Sequence, residues 1–238
     1  MHEHIPWVPT ETVGSRRMQL PEEVASYVRE LIISGTVKPG EYLRMEPIAA
    51  AVGVSNTPVR EGLLALRGEG FVQLVPRRGF VVAPFTPQDI QDLFWAQARL
   101  AGELAARAAQ SIANEQLARL DRNLDQYEQA LAQGDKQRIT DLGHLFHRDI
   151  NLAAGAHRLT LLLGSIVRYL PNQFYAEIEG HLQTTQAAHA ELVIALRRGH
   201  SRKARAIMEA HTLEGGDRLI ESLERRGVWD DVDTETAS

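Results

Sequence analysis

Apolar side chains recur at helical spacing through most of this chain, and the pattern gives way to strands in one region only. Val59, Leu63, Leu64 and Leu66 form the apolar face of a short helix. Gly53 permits a tight turn between that helix and a preceding short one. Ser55 stands where its hydroxyl can accept a bond from an orphan N–H at the helix start, and Pro58 falls in the first turn, where its missing N–H costs little. Phe71–Val75 and Phe80–Ala83 then read as two β-strands joined by Pro76-Arg77-Arg78-Gly79.

Pro84-Phe85-Thr86-Pro87 marks a boundary, after which strand signals vanish. Thr86 suits an N-cap, Pro87 the first helical position and Asp89 the return bond of a capping box. Helical patterns follow over 87–110, 114–133, 135–154, 157–170, 172–180, 181–199 and 201–226, with breaks at Gly134-Asp135, Gly155, Pro171 and Gly199-His200-Ser201. Leu117, Leu120, Leu124, Tyr127 and Leu131 make a core stripe. Short loops between Ala- and Leu-rich helices imply an antiparallel bundle. The fold expected is mainly α: an N-terminal helix-turn-helix with a two-stranded wing, then an all-α antiparallel helical bundle. The divisions are a loose arm at 1–17, the winged unit at 18–85, the bundle at 86–228 and a frayed acidic tail at 229–238.

Composition narrows the chemistry. The 238 residues are 44% hydrophobic and 24% charged, ordinary for a globular chain, and there is no Cys, which excludes disulfides and thiolate chemistry. No apolar run approaches the roughly 20 residues of a membrane span, and no secretion signal opens the chain, so a cytoplasmic location without membrane contact is expected. Residues 1–85 hold nine Lys/Arg and nine Asp/Glu. The remaining seventeen and twenty-two place the whole net charge of −5 in residues 86–238. Between Ser55 and Phe80, however, four arginines face two glutamates. Asn56, Thr57 and Arg60 gather at the start of the second short helix, the end that touches base edges in helix-turn-helix proteins. Arg77, Arg78 and Gly79 at the hairpin tip suit a phosphate backbone or a minor groove. The patch is small, so a homodimer reading a short inverted repeat of double-stranded DNA is expected.

From about Ala25 to Val82 the chain resembles the winged helix-turn-helix of the GntR family of bacterial transcription regulators. The likeness rests on the Lys38-Pro39-Gly40 turn, the Ser-x-x-Pro-Val-Arg-Glu start at Ser55–Glu61 and the Gly79 wing tip. It implies DNA contacts from Arg44, Ser55, Asn56, Thr57, Arg60, Arg77, Arg78 and Gly79.

The histidines supply a second constellation. His189 and His211 each lie 11 residues from the turn at His200, about 16 Å along their helices, so an antiparallel hairpin brings them level. His147 on an earlier helix could complete the set, and three converging imidazoles suit a divalent ion of the zinc or nickel kind. The region from about Pro87 to Arg226 resembles the FCD ligand-binding domain of the fatty-acid-regulator subgroup, most clearly at Leu145–Ile150 and His189–His211. That resemblance implies metal ligation by His147, His189 and His211. It also implies an aspartate at the position that Gly143 holds here, for which Asp141 or His144 could substitute. It further implies a pocket whose usual arginine and glutamate are replaced by Gln97 and Ala101, so that Arg168, Tyr169, Asn172 or Gln173 could hold an organic-acid effector. The resulting expectation is an effector-controlled DNA-binding transcription regulator and not an enzyme. The alternatives are a bundle that only dimerises, or a metal-dependent hydrolase.

Overall fold

The computed structural model describes residues 13–169 and 182–229. The chain divides into two units, Met1–Pro84 and Phe85–Ser238. Asn172, Gln173 and residues 230–238 of the expected tail lie outside the described residues.

The first unit contains α1 (Val13–Ile33), β1 (Tyr42–Leu43), α2 (Met45–Val52), α3 (Asn56–Gly68), β2 (Val72–Val75) and β3 (Gly79–Val82). Val24, Val28 and Ile32 of α1 are buried with Val59, Leu63 and Leu66 of α3. The two helices meet backbone to side chain at Gly62, where an added Cβ would lie 2.7 Å from the Pro21 carbonyl oxygen. Two expectations need correction. Residues 13–17 of the supposed arm are already helical, because a helix anchored by buried later turns extends backwards at one hydrogen bond per residue. The hairpin is also not alone. Two-residue β1 pairs antiparallel with β3, Tyr42 opposite Val81 and Leu43 opposite Phe80, giving the order β1-β3-β2. A two-residue strand is too short to show an alternation.

A buried charge ties this unit together. Arg29 of α1 is 3% exposed and donates from Nη2 to Glu69 Oε2 at 2.8 Å and from Nε to the same oxygen at 3.1 Å, just after α3. Its guanidinium also stands 5.9 Å from the Phe71 ring centroid. Removing the carboxylate would strand the cation, so Glu69→Ala should cost about 3 kcal/mol. Chemical denaturation of the full chain tests this. A loss under about 1 kcal/mol would mean that water or Glu22 already compensates Arg29.

The second unit is α4 (Pro87–Ser111), α5 (Asn114–Gln133), α6 (Lys136–Ala153), α7 (His157–Val167), α8 (Leu182–Arg197) and α9 (Ser201–Arg225) among the described residues. Thr86 and Asp89 form the expected capping box, with Thr86 N donating to Asp89 Oδ2 at 2.7 Å. Small residues on α4, among them Ala98, Gly102, Ala105 and Ala109, let α9 approach closely. An added Cβ at Gly216 of α9 would lie 2.7 Å from the Phe94 ring. Leu104, Leu120, Phe146, Ile150, Leu192, Leu196 and Met208 fill the centre. Trp229, assigned to the frayed tail, is instead docked. Its indole N–H donates to the Phe85 carbonyl at 2.9 Å, and the two rings pack edge to face. No helix among the described residues is long and apolar enough to cross a membrane.

Candidate functional site

The first site is built on the turn between α2 and α3. Gly53 closes α2 in the left-handed region, φ 74, its N–H bonded to the Ala49 carbonyl. Ser55 then occupies the N-cap of α3 with extended backbone, but its side chain makes no cap bond. The expectation of a hydroxyl cap is therefore corrected: the hydroxyl stands exposed beside the unsatisfied N–H groups of the helix start, an arrangement suited to an oxyanion. Asn56, Thr57 and Arg60 are exposed on the same end of α3. Among the described residues Arg60 has no ion pair, and Glu69, a conceivable partner, is held by Arg29.

The hairpin tip brings further cations to the same side. Arg77 sits at φ 63, followed by Arg78 and by Gly79 at φ 101. A groove of about 750 Å³ collects Arg44, Arg60, Arg77 and Arg78, with Gly79 on its wall and Glu46 as its one carboxylate among the described residues. Ser55, Asn56 and Thr57 stand outside the groove at the exposed start of α3. Left-handed backbone costs a non-glycine residue roughly 1–2 kcal/mol, a cost placed at the wing tip, where arginine is useful for binding. Arg77→Gly should therefore raise stability by about 1 kcal/mol while weakening attachment to a polyanion. Thermal unfolding and polyanion affinity, measured on one preparation, test the pair of effects. A variant less stable than the parent would contradict it.

The second site is the histidine cluster. His147 of α6, His189 of α8 and His211 of α9 point their ligand nitrogens together, all within 4.8 Å of one another. His211 Nε2 lies 3.3 Å from Nε2 of both His189 and His147. The levelling of His189 with His211 expected from their equal distance to the His200 turn is what the hairpin produces. α6 is held in place by Asn123, which donates to the Leu142 carbonyl at 3.0 Å, and by Ser111, which donates to the Ala153 carbonyl at 2.9 Å. His189 stacks on Phe146, ring centroids 4.0 Å apart, and meets Tyr127 edge-on.

Burial, reinforced by neighbouring imidazoles, holds His147 down to about pKa 3 and His189 well below its usual range. Burial lowers His211 to about 4, with Glu214 opposing and Arg218 assisting. All three are neutral near pH 7, the form that ligates metal. An imidazole nitrogen carries either one proton or one lone pair, so His211 Nε2 cannot make two good hydrogen bonds at once. Nitrogens about 2.05 Å from a tetrahedral ion would lie about 3.3 Å apart, the spacing of His211 Nε2 from both His189 and His147. The residues fit a divalent ion.

Gly143, one turn before His147, lines the cavity beside the cluster. Asp141 does not: it is exposed and accepts from Gln137 Nε2 at 3.1 Å. The idea that Asp141 could substitute as a ligand is corrected, since two residues along a helix turn a side chain well away from the facing side. His144 lines the cavity without joining the three ligand atoms, its pKa lowered by burial against the opposing pull of Asp141.

The cavity itself measures about 100 Å³. Gln97, Ala101, Thr140, Asn151 and Thr212 line it with His144, His147 and His211, and Phe94, Leu163 and Val167 supply apolar wall. Arg168 and Tyr169 do not line it. Arg168 is an exposed residue capping the C-terminus of α7. Among the described residues no Lys, Arg, Asp or Glu reaches the cavity wall. Sequence reasoning missed Thr140 and Asn151. Their signal was a polar stripe, Thr140, His144, His147 and Asn151, at helical spacing on one side of α6.

With this geometry in view, residues 20–82 match the family described as bacterial regulatory proteins, gntR family, and residues 92–214 match the FCD domain. The chain is 30% identical over 124 residues to YdhC of Bacillus subtilis, an HTH-type transcriptional regulator, covering 50% of this chain and 54% of that one. It is 27% identical over 131 residues to the HTH-type transcriptional regulator McbR of Escherichia coli, 55% of this chain and 59% of that one. The chain thus spans little more than half the length of these curated relatives. The solved structure of E. coli McbR/YncC superposes with a TM-score of 0.65 at 21% identity, covering 87% of this chain and 98% of that chain, and so shares the fold.

Proposed function

This chain belongs to the gntR family of bacterial regulatory proteins and carries an FCD domain, and we propose that it is a DNA-binding transcription regulator whose helical unit senses a small acidic ligand. The observation that carries the reading is the convergence of Arg44, Arg60, Arg77 and Arg78 on the groove beside the start of α3. Arg60 reads base edges, while the wing arginines hold phosphate or enter the minor groove. Arg60→Ala should cost about 1–3 kcal/mol of specific affinity, measured against fragments of the gene's own neighbourhood. Unchanged affinity would remove Arg60 from the interface. A regulator of chromosomal DNA works in the cytoplasm.

A single wing with so few cations binds weakly, so the functional unit is a homodimer on an inverted repeat. A light-scattering monomer at micromolar concentration that still binds specifically would overturn this.

The effector follows from cavity size and charge. A cavity of about 100 Å³ holds a molecule of a few heavy atoms, since 150 Å³ accommodates benzene (about six heavy atoms). The described wall offers amide and hydroxyl groups but no cation. His147, His189 and His211 would hold a zinc- or nickel-like ion, which when bound would supply the positive charge that anchors a carboxylate. Gln97, Thr140, Asn151 and Thr212 orient the rest of the ligand through hydrogen bonds. Ligand binding regulates by favouring one dimer geometry over another. Two- to four-carbon hydroxy and keto acids should raise the melting temperature only with divalent metal present. No shift with any of them would favour a bundle that serves dimerisation alone. Family membership leaves the hydrolase alternative without support, and no carboxylate stands in the described cavity wall to act as a base.

A further inference from the structure

We propose that Tyr42 is a positioning residue for DNA binding, holding the wing arginine Arg78 in the orientation that meets a phosphate. This rests on the DNA-binding reading above.

Tyr42 lies on β1, the short strand that the hydrophobic pattern does not announce. Its register opposite Val81 places it close to Arg78, in the turn just before β3. The Arg78 guanidinium carbon stands 5.9 Å from the Tyr42 ring centroid, and Nη1 donates to the phenol oxygen at 3.4 Å. Tyr42 is 46% exposed, so its ring is open to the groove and not spent on the core. Both residues line the groove that also holds Arg60. An exposed pair of this kind contributes little to folding. Its effect falls on the free arginine, whose many rotamers must otherwise be frozen when it meets DNA. The ring restricts them beforehand, and because the hydrogen bond takes one guanidinium nitrogen, other N–H groups remain for a phosphate oxygen. Preorganisation of one long side chain corresponds to about a three- to tenfold gain in affinity.

The test uses the full chain and a DNA fragment that the parent protein binds specifically. Tyr42→Ala should weaken binding about three- to tenfold and lower the steepness of the salt dependence, as Arg78→Ala should by about one unit. Tyr42→Phe keeps the ring and should lose less than about twofold. In the Arg78→Ala background, Tyr42→Ala should add almost nothing. An unchanged affinity and salt slope in Tyr42→Ala would overturn the proposal. So would a full effect of Tyr42→Ala in the absence of Arg78, which would make Tyr42 a direct DNA contact. Melting temperatures matched to the parent establish that the variants are folded. Loss of specific binding by the parent itself would count against the DNA-binding reading instead.

Discussion

Replacing His189 by alanine should abolish divalent-metal retention. His189 is 1% exposed, and its Nε2 stands 3.3 Å from His211 Nε2, within 4.8 Å of the other ligand nitrogens. Loss of an outer-shell partner costs metal sites about 10–100-fold, and loss of one of three ligands costs more. His189→Leu, closer in volume, keeps the space against Phe146 filled and should give the same metal loss with less destabilisation. The complementary change is Gly143→Asp. Position 143 lines the cavity one turn before His147, so a carboxylate there would reach an ion held by the three histidines. Three neutral imidazoles leave a divalent centre at a charge of about +2, and an aspartate lowers it to about +1. The parent should therefore retain metal substoichiometrically after dialysis, and Gly143→Asp should retain more. It should also bind a carboxylate effector less tightly. Elemental analysis reads the first effect and calorimetry the second. Full metal loading that His189→Ala leaves unaltered would place the metal elsewhere in the molecule.

Acid should dismantle the metal-free helical unit. His147 and His211 titrate at about 3 and about 4 when folded, and His189 well below its usual range, all chiefly through burial. In the unfolded chain each takes a proton near pH 6.5. As pH falls below about 6.5, the unfolded state binds protons that the folded state refuses, so stability declines until the folded pKa values are reached. Each imidazole costs about 1.4 kcal/mol per pH unit, on the order of 3 kcal/mol by pH 4. Three together rival the roughly 5–15 kcal/mol that stabilises an ordinary domain. In chelator, helical content should collapse with a midpoint above about pH 4. His211→Asn should flatten the decline by up to about 1.4 kcal/mol per pH unit, and added zinc should shift the collapse to lower pH until protons displace the ion. A stability curve flat from pH 7 to 4 would show that the imidazoles are solvated.

Much of this molecule was legible from local pattern. Thr86, Pro87 and Asp89 announced the start of α4, and the glycines at 53, 134 and 199 marked the ends of α2, α5 and α8, because caps and turns are decided by a few adjacent residues. The equal spacing of His189 and His211 about His200 sufficed to bring them level, since a helical hairpin converts count into distance. The arginines at 60, 77 and 78 could be assigned to one device from their places on helix and hairpin.

What the pattern could not reach depends on residues far apart in sequence. β1 exists only because β3 lies beside it, and Tyr42 meets Arg78 across 36 positions. The Arg29–Glu69 pair spans 40 positions, and it also removed Glu69 as a partner for Arg60. Asp141 and Gly143 differ by two residues, yet the helix turns one to solvent and the other to the cavity. Arg168 has the charge that suits an acid-binding pocket but occupies an exposed helix end. Local sequence determined where α4 begins, where α2, α5 and α8 end, and which faces of the bundle helices are apolar. Only tertiary packing decided which side chains share a groove or a cavity, because burial and close approach are set jointly by several helices and not by any one of them.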